Sequence, residues 1–298
     1  SIICIFLAWK HIPSEERKER LKVRFDAVGF VLSGFSLAGF MYGVEILSKD
    51  GVSYFYSLLI IGFSLLLLWF NVRYSKHISH PLIDYSVMKI NSYKVTILTG
   101  SVSRMIIGVF PYLVPLMFQE GFGLNPFESG LLFLSTMVGN LSMKSLTVWI
   151  MHRFRFRTIL IVNGCFSALF TFFTALLMPT TPVYVIVLVL FTAGLFRSLQ
   201  FSSLTTLAFT DTPASQTTAA NTLYSTIQQM STGMGIAMGA VVLRFSNIIN
   251  HGIAGHYTIP DFRLAFIFVT VLGFVHLYGY TKLSKDAGSV VMLKKKMF

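Results

Sequence analysis

Charge is what this 298-residue sequence has least of. Asp, Glu, Lys and Arg make up 12% of it, where a soluble domain carries roughly 25%. With 54% hydrophobic residues and a mean hydropathy of +0.69, that shortage excludes an ordinary water-soluble fold. Cysteine is scarcer still. Cys4 and Cys165 both sit in apolar runs, form no CxxC or zinc-type spacing, and read as buried structural thiols. Acidic residues are missing from the centre of every long apolar run: Glu45, Glu120 and Glu128 all fall at run ends or in connections. There is no HExxH, no paired carboxylate and no Ser or Cys with a base at usable spacing, which excludes intramembrane catalysis. His251 and His256 stand five residues apart in a connection and lack a third ligand, so neither a metal nor a cofactor is implied.

What fills the sequence instead is a series of apolar runs near the ~20 residues that cross a bilayer as helix. A hydropathy window predicts spans over 26–47, 53–72, 95–118, 129–150, 158–178, 182–209, 219–243 and 262–281. The opening run "SIICIFLAW" is too short for a span or a secretory signal. Residues 1–10 are therefore expected to end a transmembrane helix that starts upstream. Residues 11–25 form a charged linker, 26–72 a helix pair, 95–281 a six-helix unit, and 282–298 a basic tail.

The 24 Lys and Arg residues sort by side. Eighteen fall in alternate connections, from Lys10 through Arg73, Arg153 and Arg157 to Lys296; the opposite connections hold only Lys49, Arg244 and Arg263. The rich side is expected to be cytoplasmic, with the C-terminus inside, in the cell (inner) membrane. This alternation, rather than one basic face, argues that the net charge of +12 does not serve nucleic acid.

Three basic residues remain, all within spans: Arg104, Lys144 and Arg197. Arg104, in "SVSRMIIGVFPYLVPL", lies ten residues past Lys94, roughly 15 Å into the bilayer at 1.5 Å per residue. Arg197 is similarly central in its own span. A guanidinium at a helix centre costs about 3 kcal/mol on insertion scales, so each should face the bundle interior or water. Lys144 is nearer a helix end and is expected to snorkel. Gly100, Arg104 and Gly108 share one helical face; Gln200 follows Arg197 by three residues, and Gly194 precedes it by one turn. The next span carries Asn221, Ser225, Gln228, Thr232, Gly235 and Gly239 down one side, the pattern of a cavity wall grading into a packing seam. Pro111 and Pro115 mark either a hinge or a static kink. The substrate-binding candidates are Arg104, Arg197, Gln200, Asn221, Ser225 and Gln228. A substrate anion, backbone carbonyls or acids elsewhere must answer the two arginines.

The run from Ser103 to Gly164, "SRMIIGVFPYLVPLMFQEGFGLNPFESGLLFLSTMVGNLSMKSLTVWIMHRFRFRTILIVNG", resembles the EmrB/QacA-type drug:proton antiporters, the fourteen-span branch of the major facilitator superfamily. "GLFRSLQFSSLTTLAFTDTPASQTTAANTLYSTIQQMSTGMGIAMGAVV" resembles core helices ten and eleven of a bacterial subgroup. The resemblance implies an all-α polytopic membrane protein: a major facilitator C-terminal six-helix half of two inverted three-helix repeats, preceded by an extra two-helix hairpin. Residues 1–10 would then end core helix six, and the first helix of each repeat would line a central cavity. Arg104 falls on core helix seven and Arg197 on core helix ten, at what the resemblance implies are equivalent places. One departure is the connection His152–Arg157, which lacks the glycine and the acid or amide that the family often carries there. The coupling carboxylate and antiporter motif of the family belong to its N-terminal half. The expected function is export of small amphipathic compounds in exchange for protons, with the lipid bilayer and that N-terminal half as partners and no nucleic acid. The alternative is a truncated, non-transporting remnant or an interaction subunit.

Overall fold

The computed structural model describes residues 26–47, 54–78, 82–251, 256–284 and 286–289. Among them every regular element is helical, and eight helices are long and apolar enough to cross a membrane. The protein is an all-α, multi-pass membrane protein. Cys4, the opening run at 1–10, the linker at 11–25 and most of the basic tail lie outside the described residues.

Helices α1 (Ala27–Leu47) and α2 (Tyr54–Ser75) pack against each other as a hairpin. Both are apolar all round, as a helix mostly surrounded by lipid must be. Only 22% and 17% of their most apolar windows are buried, against 56% for α3 (Asn91–Leu116), which places the hairpin at the periphery and α3 at the centre. Contacts to neighbouring segments tie the hairpin down. Met41 of α1 packs on Gly233 of α7 (Thr217–His251). The Asp26 carboxylate, just before α1, accepts hydrogen bonds from the Gly29 N–H at 2.8 Å, the Leu82 N–H at 3.1 Å and the Tyr74 hydroxyl at 3.2 Å.

Partial burial pushes the Asp26 pKa up, but these three hydrogen bonds outweigh it and hold the carboxyl below the usual aspartate value. A carboxylate held low adds stability above the ordinary aspartate pKa, and that contribution disappears as pH falls through the lower folded value. At neutral pH the clasp is therefore closed. Asp26→Asn is expected to speed hydrogen exchange of the Leu82 and Gly29 amides by about tenfold, since each loses a charged acceptor. Unchanged exchange at both amides would show that the clasp holds nothing.

A 3-10 turn over Tyr85–Lys89, capped by the Asp84 side chain on the Ser86 N–H at 2.8 Å, leads into α3. Pro111 and Pro115 do not end α3, which runs on through a π turn at Met117–Gly121. The Pro115 carbonyl accepts from the Ser129 hydroxyl at 2.9 Å, so the bend is satisfied by α4 (Pro126–Arg153). A capping box starts α4: the Glu128 N–H donates to Asn125 Oδ1 at 2.9 Å and the Asn125 N–H to Glu128 Oε2 at 3.2 Å. There follow α5 (Phe156–Ala175), α6 (Val183–Thr210), α7, α8 (Ile259–Val275) and the short α9 (Leu277–Tyr280) that prolongs it. Helix α7 outruns its apolar window by eight residues. Asn247 and Asn250 donate to the Asp261 carboxylate at 2.9 and 2.6 Å, so bonds to α8 carry the helix where hydropathy falls away.

Two seams organise the six-helix unit. Gly139 of α4 abuts the Phe191 carbonyl of α6, and Gly194 of α6 abuts the Thr136 carbonyl of α4. Gly235 of α7 abuts the Met105 carbonyl of α3, and Gly108 of α3 abuts the Thr232 carbonyl of α7. In all four cases the carbonyl belongs to the residue three positions before the partner's glycine. The seams are thus one geometry used twice, relating α3 to α6 and α4 to α7, as two three-helix repeats require. Only glycine fits where backbone meets backbone this closely. Helix α5 lies against α6 and α8, outside the seams. Its Cys165 is exposed, which corrects the reading of a buried thiol. A lipid-facing surface is as apolar as a core, so hydropathy does not separate the two.

Candidate functional site

Both intramembrane arginines are buried: Arg104 is 1% exposed and Arg197 4%. Side chains on a helix lean toward its N-terminus, and Arg104 follows that lean, its Nη1 donating to the Thr96 carbonyl two turns back at 3.4 Å. Gly100 leaves the room for it, since a Cβ there would stand 3.3 Å from Nη1. The guanidinium lies over the Tyr224 ring of α7 at 4.6 Å, a cation–π contact. Tyr224 is fixed in turn by a 2.8 Å hydrogen bond between its hydroxyl and that of Thr205 on α6, and by the Phe209 ring at 5.2 Å. The guanidinium of Arg197 lies against the Phe110 ring of α3. In both arginines Nε and Nη2 are buried without an acceptor, and no carboxylate reaches either among the described residues.

The seams locate the arginines in the repeats. Arg104 stands four residues before Gly108, whereas Arg197 stands three after Gly194. They are therefore on equivalent helices but at different registers, which corrects the expectation of equivalent places. Because neighbouring helices run in opposite directions, both arginines lie on the side of their own seam glycine that faces the Lys- and Arg-rich end of the bundle. An exact internal symmetry would have put them on opposite sides.

The other candidates do not converge on one space. Asn221 and Ser225 are exposed on α7 and Gln228 is half-buried, flanking Tyr224 on the open side. Further along the same stripe, Gly235 abuts the Met105 backbone and Gly239 packs near Val109, so the stripe passes from open wall to seam. Lys144 is exposed and donates to the Ser202 hydroxyl of α6 at 2.9 Å. Gln200 turns the other way, toward α5. Its Oε1 accepts from Asn163 Nδ2 at 2.8 Å, and its Nε2 donates to the Leu160 carbonyl at 3.4 Å.

Gln200 also reaches a buried polar group that sequence reasoning missed. Ser103 of α3 hydrogen-bonds His276 Nε2 at 2.8 Å and the Tyr280 hydroxyl at 2.7 Å, and the Gln200 amide stands beside Tyr280. Asn163, His276 and Tyr280 each interrupt an otherwise apolar span, and the i, i+4 spacing of His276 and Tyr280 was the signal available. A cavity of about 20 Å³ lies among Ser103, Gly164, Ser167, Gln200, Gly273 and His276. This helical frame, with its repeated seams and buried cations, is that of a membrane carrier half.

Residues 25–236 match the family model described as Major Facilitator Superfamily. The chain belongs to that superfamily of transporters. It is similar to the "Putative multidrug resistance protein MdtD" of Pectobacterium carotovorum subsp. carotovorum (strain PC1), 27% identical over 245 residues, or 81% of this chain and 51% of that protein. The protein of the same name from Serratia proteamaculans (strain 568) is 27% identical over 223 residues, 74% of this chain and 46% of its own length. That of Escherichia coli O6:H1 is 26% identical over 224 residues, 74% and 47%. The chain spans about half the length of these relatives.

Proposed function

We propose that the chain is the C-terminal part of a proton-coupled multidrug efflux transporter, exporting small amphipathic compounds by alternating access across the cell inner membrane, with its C-terminus in the cytoplasm. The observation that carries this reading is the pair of buried guanidinium groups whose Nε and Nη2 have no acceptor. A buried cation with unanswered N–H groups is costly to keep. Its retention makes sense if a ligand supplies the missing acceptors during part of a cycle. Arg104 and Arg197 hold the substrate, which the free donors suit best if it carries an acidic or acceptor-rich group. Asn221, Ser225 and Gln228 line its approach along α7, and Gln200 positions α6. The glycine seams keep each helix pair rigid while this unit rocks against the N-terminal half. The names of the relatives support drug export as the task.

The test is pH-gradient-driven dye or drug export in membrane vesicles holding the full-length protein. Arg104→Ala and Arg197→Ala are each expected to lower export at least tenfold with the protein still in the membrane. Unchanged export by both variants would remove the arginines from the site. Half a cavity cannot alternate, so cells making only residues 1–298 are expected to export nothing in the same assay. Gradient-driven export from those cells would overturn the proposal.

A further inference from the structure

The polar group around His276 has a direction built into it. His276 Nδ1 faces the Leu272 carbonyl at 3.2 Å, and a carbonyl only accepts, so Nδ1 carries the hydrogen. Nε2 is then the bare nitrogen of a neutral imidazole, accepting from the Ser103 hydroxyl at 2.8 Å. Ser103, having donated, accepts from the Tyr280 hydroxyl at 2.7 Å. The Gln200 amide stands beside Tyr280 and on the same cavity, and its oxygen accepts from Asn163. The donors thus run one way, from Tyr280 of α9 to Ser103 of α3, and end on a lone pair of the side chain that most readily takes a proton near neutral pH. The cavity of about 20 Å³ beside Ser103, Gln200 and His276 has the size and the polar wall to hold one water.

From this geometry we infer that His276 Nε2 is a proton-binding site in this half of the transporter, reached through Ser103, Tyr280 and the adjoining water-sized cavity. The inference deepens the proton-coupled reading above by naming a site for the proton. A proton arriving at Nε2 turns that nitrogen into a donor toward Ser103. The Ser103 hydrogen swings to Tyr280, and the Tyr280 hydrogen must leave Ser103 and turn toward the side where the Gln200 amide stands. Gln200 is three residues from Arg197 and Ser103 is next to Arg104. One proton therefore reorders the bonds of Ser103, beside Arg104, and changes what faces Gln200 on the helix of Arg197. The other charged or titratable groups facing this chain are Arg104 from α3 and Tyr224 from α7, whose fields reach Tyr280. Helix α5 presents Gly164, Ser167 and Ala168, and α8 presents Gly273, none of them titratable. Arg104 is the like charge in the set, so neutralising it raises the affinity of His276 for the proton.

The test is nitrogen NMR of histidine-labelled full-length protein in lipid nanodiscs, with His276 assigned by its absence from H276Q. At high pH His276 is expected as a single neutral tautomer with the hydrogen on Nδ1, giving way to the imidazolium as pH falls. Arg104→Gln is expected to move that midpoint up by about one pH unit, tenfold in proton affinity, and Tyr280→Phe to move it as well. A His276 that stays neutral at every pH where the protein remains folded overturns the inference, as does a midpoint unmoved by both variants. Export assays separate this from the broader reading. Titration of His276 without export would sink drug export alone, whereas gradient-driven export undiminished in H276Q, with no titration, would sink the proton site alone.

Discussion

Gly194→Leu and Gly108→Leu are expected to abolish accumulation of folded full-length protein, whereas Gly34→Leu and Gly62→Leu leave it unchanged. All four glycines lie in membrane helices of similar apolarity. They differ in what a new side chain would meet. At Gly194 and Gly108 it meets a backbone carbonyl of the neighbouring helix, Thr136 and Thr232 respectively, while at Gly34 and Gly62 nothing stands within 4 Å. A backbone carbonyl in a helix cannot swing aside as a side chain can, so relief requires the two helices to separate. Overpacking a core by single methylenes costs about 1–3 kcal/mol, which sets the expectation for Gly194→Ala. Four carbons at the same point exceed what the seam can absorb. The measurement is the yield of monodisperse protein in detergent and its midpoint of thermal unfolding. Equal yields for all four Leu variants would mean that the seams are not where the helices are held.

Arg197→Met is expected to raise thermal stability and abolish export in the same protein. Methionine matches the length and flexibility of the arginine stem and fits the contact with Phe110 without the charge. Removing a buried cation with no carboxylate partner lifts a penalty of about 3 kcal/mol at a helix centre, and replacement of buried charges by packed apolar residues stabilises other proteins by about 1–4 kcal/mol. The corresponding rise in unfolding temperature is a few degrees for a chain of this size. Arg104→Met is expected to gain less, because it forfeits the Thr96 hydrogen bond and the Tyr224 contact. Opposite movement of stability and activity is the mark of a residue kept for a ligand. If Arg197→Met instead lowers stability, the guanidinium is a structural element.

Much of the fold was legible because lipid imposes one rule on every span: about 20 apolar residues with internally satisfied backbone. That rule located all eight spans among the described residues and misjudged mainly α7, whose last two turns depend on Asp261, a partner distant in sequence. The same rule exposed Arg104 and Arg197, since a cation stands out against an apolar background. It could not show their surroundings. That Arg104 lies on Tyr224 and Arg197 on Phe110 depends on which helices touch, and the unequal registers emerge only once four glycines are seen against four carbonyls. Gly108 and Gly235 were flagged by their stripes and Gly194 by its place one turn before Arg197, but Gly139, which completes the α4–α6 seam, was not. Gln200 shared a face with Arg197 by spacing, yet three residues along a helix is a turn of about 60° short of a full circle, enough to point it at α5 and into the histidine chain instead.

The central claim is that both guanidinium groups, closed off in this conformation, become open to water and substrate during the transport cycle. Arg104→Cys and Arg197→Cys in an otherwise cysteine-free full-length protein, challenged with a charged, membrane-impermeant thiol reagent, test it directly. The account predicts that the charged reagent reaches both positions and that a pH gradient changes the rate, even in variants that no longer transport. Labelling only by lipid-soluble reagents, indifferent to the gradient, would place both positions against lipid and contradict it.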